Sequence, residues 1–204
     1  MKLLKSQGFT LVELMIAIAV GGVVLTAIVV FFARSLNVYT RENVRAELQQ
    51  EMRAALEVMA RDIRMAGYDP MRSGDFFVKN ASATRLQFLI DWDEDGVLDP
   101  APAYPDCENI SYRYSAADQS VQLICGEGTG AADTETLIGD TNIQVTSLEF
   151  DYRDISNLST TFLNDIRAAV ITLSAQIPAG RAGMQSRTYT TWVDLRNTGP
   201  NSNR

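Results

Sequence analysis

The stretch "DWDEDGVLD", residues 91–99, sets Asp91, Asp93 and Asp95 at alternating positions and follows them with Gly96. This is the D-x-D-x-D-G spacing of calcium loops. Carboxylate oxygens suit a hard cation, Gly96 takes the tight turn, Val97 offers its main-chain carbonyl and Asp99 holds the ninth position. Acidic side chains so close together repel one another unless a cation or water intervenes. The pattern departs from a complete EF-hand at its twelfth position, where Pro102 stands in place of a bidentate Glu, and the segment before it reads as strand. Asp106 or Glu108 could supply the missing ligand after a bend. The competing reading is a solvated hairpin turn at Asp95-Gly96.

Cys107 and Cys125 are the two thiols, and their spacing is neither a CxxC redox motif nor a zinc pattern. A structural disulfide is the expectation, favoured by an oxidising compartment; two buried free thiols are the alternative. Histidine is absent, which excludes Ser-His-Asp and Cys-His catalysis and every imidazole metal site. With no nucleophile-base pair and no phosphate-cradling glycine loop, an enzyme is not expected. The formal charge of -7 disfavours a nucleic-acid-binding face.

The remaining chemically pointed residue is Glu13. It is the single charge in residues 9–33, "FTLVELMIAIAVGGVVLTAIVVFFA", a run long enough to cross a bilayer core of about 30 Å as a helix. Lys2 and Lys5 precede the run, so the positive-inside tendency places the N-terminus in the cytoplasm and the remainder outside. A carboxylate at depth in lipid costs from about 2.5 kcal/mol upward, and something must offset it. A secretory signal is cut after its apolar core, whereas here the small residue Gly8 precedes it. A cut between Gly8 and Phe9 would keep the helix on the mature chain, and the new amine at Phe9, or that of a neighbouring copy, becomes the nearest cation for Glu13. The alternative is a Glu13 that snorkels to the interface.

"KSQGFTLVELMIAIAV" resembles the class III leader and N-terminal helix of type IV pilins and type II secretion pseudopilins: a basic leader, Gly8, Phe9, Glu13 and an unbroken apolar helix. The resemblance implies cleavage after Gly8 by a prepilin peptidase, methylation of the Phe9 amine and packing of the helix into a filament core. It makes Glu13 the partner of a subunit amine. Many major pilins carry a proline within this helix; residues 9–69 here contain none. Gly21-Gly22 is the weak point, read either as a place for local melting in a filament or as close helix packing.

Beyond the membrane run, apolar residues continue at helical spacing through Val44, Leu48, Met52, Ala55, Met59 and Ile63, with Glu42, Glu47, Gln50, Glu57 and Arg61 on the other faces. Gly67 is expected as the left-handed residue after the helix, with Pro70 beyond. From residue 76, "RLQFLI", "ISYRY", "VQLIC", "VTSLEFDY", "AAVITLSAQI" and "RTYTTWVDL" read as strands. The expected fold is α+β, a long N-terminal helix packed on an antiparallel β-sheet head, pilin-like. Its segments are a leader 1–8, a transmembrane or filament-core helix 9–33, an amphipathic extension 34–66, a β-rich head 67–196 and a flexible tail 197–204. The N-x-S sites at Asn80, Asn109 and Asn157 are read as ordinary loop polarity.

"RDIRMAGYDP", "LEFDYRD" and "AVITLSAQI" look like PilW-type minor pilins and are similar to J-type secretion pseudopilins. That resemblance implies a structural subunit incorporated into, or priming, a type IV pilus. Its partners would be other pilins, the prepilin peptidase and the inner-membrane assembly machinery. It would be a single-pass protein of the bacterial inner membrane with a periplasmic head, and later part of the pilus at the cell surface. The alternatives are a J-type pseudopilin and a solitary membrane-anchored binding module.

Overall fold

The structure is a computed structural model that describes residues 10–99, 103–139, 142–180 and 183–197. The chain divides into two units, Met1–Asn43 and Val44–Arg204. Helix α1, Leu11–Met65, begins in the first and ends in the second. Thr10 caps its start. The Thr10 hydroxyl accepts from the Glu13 main-chain N–H at 3.2 Å, while a Glu13 carboxylate oxygen accepts from the Thr10 N–H at 2.9 Å. This reciprocal pair satisfies donors that a bare helix end leaves orphaned. The helix continues without a break through Gly21 and Gly22.

In the second unit α1 buries the stripe Leu48, Met52, Ala55, Leu56, Met59, Ala60 and Ile63, spaced so that one face meets the head. The helix stops where Gly67 takes a φ of 74°, a conformation that costs a side-chain-bearing residue about 1 kcal/mol or more. The Gly67 N–H leaves the helix and donates to the Leu89 carbonyl at 2.9 Å, which ties the turn to the sheet.

Eight strands follow among the described residues. The meander β1 (Val78–Ser82), β2 (Arg85–Leu89), β3 (Asn109–Ser115), β4 (Ser120–Cys125) and β5 (Asp133–Ile138) forms one antiparallel sheet in chain order. A second antiparallel sheet is built from β6 (Gln144–Arg153), β7 (Ala168–Pro178) and β8 (Met184–Asp194). The head is thus two sheets where the sequence suggests one. Both send alternate side chains into a core shared with α1: Leu86, Phe88, Tyr112 and Leu123 from the first sheet, Leu148, Phe150, Ile171 and Leu173 from the second. Main-chain bonds Val145 N–H to Gln119 O (2.7 Å) and Phe150 N–H to Ala83 O (2.8 Å) hold the sheets together, and the Tyr152 hydroxyl donates toward the Ser82 and Arg85 carbonyls at 2.9 Å.

Two of the N-x-S asparagines are not loop residues. Asn80 lies within β1, and Asn109 opens β3, buried, with its amide donating to the Glu127 carbonyl at 3.1 Å. Asn157 sits in a turn at φ 60°.

Candidate functional site

Two chemically distinct places emerge, one in each unit. In the first, Gly8 and Phe9 lie outside the described residues, and Glu13 occupies the first turn of α1. Its carboxylate is engaged by its own chain: one oxygen accepts from both the Thr10 N–H and the Thr10 hydroxyl, each at 2.9 Å. Sequence reasoning missed this partner, although the T-x-x-E spacing of Thr10 and Glu13 is the signal for it. The apolar side chains beyond it are exposed. Leu11 is 75% exposed, Val23 72% and Phe31 70%. The helix is long and apolar enough to span a membrane. A Cβ added at Gly21 or Gly22 would meet nothing within 4 Å, so no contact among the described residues requires those glycines.

The second place is the connection from β2 to β3, residues 90–108, of which 100–102 are outside the described set. Its acidic part is an irregular loop, not a two-residue hairpin turn at Asp95-Gly96. Asp91, Asp93 and Asp95 converge, each offering a carboxylate oxygen within 4.8 Å of the others. Asp99 is not in that group; its main-chain N–H donates to a Glu108 carboxylate oxygen at 2.7 Å. The other Glu108 oxygen accepts from the Trp92 N–H at 3.0 Å, so Glu108 clamps the loop at both ends. Burial pushes the Glu108 carboxyl above its ordinary range. The two N–H donors oppose that shift, and the charges of Asp93 and Asp91 add to it. Of the two residues expected to supply a further ligand, Glu108 is therefore drawn to the loop; Pro102 lies outside the described residues. Gly96 is required where it stands: its φ is 75°, and a Cβ there would lie 2.9 Å from the Met71 Cβ.

Cys107 and Cys125 are joined as a disulfide with Cα atoms 5.7 Å apart, both buried, just before β3 and at the end of β4. The bridge fixes the segment that carries Glu108. A buried acid that the sequence does not distinguish from a surface residue is Asp62 on α1. It is 5% exposed and accepts from the Tyr112 hydroxyl at 2.6 Å and from the Arg61 side chain at 3.0 Å.

Known proteins share both the helix and the head. Residues 41–195, more than half of the chain, match the family described as "Prepilin peptidase-dependent protein B". The chain belongs to the prepilin peptidase-dependent protein B family. Residues 3–29 match the prokaryotic N-terminal methylation motif, a span that includes Gly8, Phe9 and Glu13. Pilin-like protein PilA3 of Thermus thermophilus is 38% identical over 69 residues, covering 34% of this chain and 30% of that protein. The match thus spans under a third of that relative's length. A type IV-like pilin from Thermus thermophilus superposes with a TM-score of 0.52 over 75% of this chain and 99% of that one. At 14% identity this likeness establishes a shared fold. This member of the prepilin peptidase-dependent protein B family therefore has a type IV pilin-like fold, with one long N-terminal helix whose second stretch packs on antiparallel sheets.

Proposed function

We propose that the chain is a minor pilin, cut after Gly8, methylated at Phe9, and incorporated into or priming a type IV pilus with other pilin subunits. The observation that carries the reading is the first unit of α1. Its apolar side chains from Leu11 to Tyr39 are exposed, and its one acid near the start is Glu13, within the segment matching the methylation motif. A surface of this kind is stable only in lipid or against other apolar helices. In a filament the amine of a neighbouring subunit would take over, or add to, the bond that Thr10 gives Glu13.

The test is Glu13→Val. Removing a costly charge from lipid leaves membrane insertion unimpaired, and the variant should be present in the membrane at wild-type amounts. It should be depleted from sheared filaments when these are quantified by mass spectrometry. Wild-type incorporation would overturn the amine-pairing role. Wild-type protein absent from sheared filaments altogether, but required for secretion, would instead favour a J-type pseudopilin.

A further inference from the structure

We propose that the loop 91–99 of the head is a calcium site, with Asp91, Asp93 and Asp95 as carboxylate ligands and Val97 contributing its carbonyl at the seventh position. Calcium takes oxygen ligands at about 2.3–2.6 Å, so two oxygens on one ion lie no farther apart than about 5 Å. The three aspartates meet that limit, each with an oxygen within 4.8 Å of the others.

A cluster of exposed acids alone would mean little, and the deciding feature is Asp91. It is wholly buried, and its Oδ1 has no hydrogen-bond partner among the described residues, while its Oδ2 accepts from the Gly96 N–H at 3.2 Å. A buried carboxylate oxygen left without donor or cation is strongly unfavourable. None of the ion pairs among the described residues reaches Asp91, Asp93, Asp95 or Glu108. Among the described residues, then, no ion pair compensates the negative charge here, and a divalent cation would supply both the charge and the missing partner.

The loop is already arranged to receive it. The Asp95 N–H donates to Asp93 Oδ1 at 3.2 Å and the Val97 N–H to Asp95 Oδ1 at 2.7 Å, which holds each carboxylate by one oxygen. Calcium is favoured over magnesium because irregular geometry and a mixture of carboxylate and carbonyl oxygens suit the larger ion, whereas magnesium demands a near-ideal octahedron. With three carboxylates and no Glu at the twelfth position, the affinity belongs to the weak class of extracellular modules, on the order of 0.1–1 mM. The ion would stiffen the junction between helix and sheet. The Asp91 N–H donates to the Tyr68 carbonyl at 2.9 Å, and the Tyr68 hydroxyl donates to Glu94 at 2.9 Å, just past the end of α1.

The experiment uses the full chain in detergent micelles. Melting is recorded in calcium and in a chelator, both with magnesium present. A second arm follows terbium luminescence excited through Trp92, which lies between two of the ligands. The expected results are a melting temperature about 5–10 °C higher at calcium a hundredfold above its dissociation constant, and one terbium site that calcium displaces. Asp93→Asn with Asp95→Asn, both exposed and close in shape, should abolish the calcium-dependent rise and the terbium signal. Trp92→Phe should lose the luminescence but keep the rise. Identical wild-type melting curves in calcium and chelator, or a terbium signal that survives the double substitution, would overturn the proposal.

Discussion

Asp62 sits in the buried stripe of α1, and its charge is tolerated because Tyr112 reaches it from β3. Removing that hydroxyl with Tyr112→Phe leaves a buried carboxylate oxygen short of a donor, and the expected cost is about 1–3 kcal/mol in urea unfolding. The same contact has a pH signature. Burial first, then the Asp62 charge and hydrogen bond, hold the Tyr112 phenol well above its ordinary value. A group that gives up its proton less readily in the folded state than in the unfolded one favours folding below the unfolded pKa of about 10 and loses that contribution as pH rises further. Stability should therefore fall above pH 10. Tyr152, raised chiefly by burial, adds to the decline. In Tyr112→Phe the alkaline fall should be shallower, and a slope equal to the wild type's would refute this assignment.

At the scale of elements, the close approach of β5 to the turn before β4 depends on Gly139. Its φ is 107°, and a Cβ there would stand 2.5 Å from the Ser120 Cα and 2.6 Å from the Gln119 carbonyl oxygen. Gly139→Ala should cost about 2–4 kcal/mol, from backbone crowding together with the unfavourable φ. Gly128→Ala is the control, since Gly128 also has a positive φ of 85° but open space around it, and only the conformational cost of about 1–2 kcal/mol applies. Equal losses for the two in chemical denaturation would contradict the steric account. The disulfide belongs to this scale as well. Its 18-residue separation predicts a loss of about 3 kcal/mol when both cysteines become serine.

The six strands visible in the sequence are rich in β-branched, aromatic and other apolar residues, and the alternation is plainest in β7, where Ala169, Ile171, Leu173, Ala175 and Ile177 are all buried. The two that escape notice, "VKNAS" and "DTETLI", are the edges of the five-stranded sheet, where strands are short and polar because one side has no neighbour. The split into two sheets depends on which hairpins pair over long range, which no local pattern encodes. The aspartate spacing of the loop is likewise readable, but the complete burial of Asp91 is a property of what folds over it.

For the molecule as a whole, the physical problem is a helix whose two stretches want different surroundings. The stretch in the second unit is buried by the head's own sheets, whereas the stretch in the first is apolar and uncovered. On the minor-pilin reading proposed above, such a chain is held in a membrane until another apolar surface replaces the lipid, and its N-terminus is freed of the charged leader before close helix packing. That order makes processing and assembly separable. Protein extracted from membranes should yield an N-terminal peptide that begins at Phe9 and carries one added methyl group, read by mass spectrometry. Gly8→Val should crowd the cleavage point and leave a chain that keeps its leader peptide, still membrane-bound because the apolar helix is unchanged. Glu13→Val, by contrast, should show the processed mass while failing to enter filaments, since its leader and cleavage residues are intact. If Gly8→Val matures normally, or if Glu13→Val accumulates only as the full-length form, the two residues do not divide the work in this way, and Glu13 acts at processing in addition to any part in subunit contact.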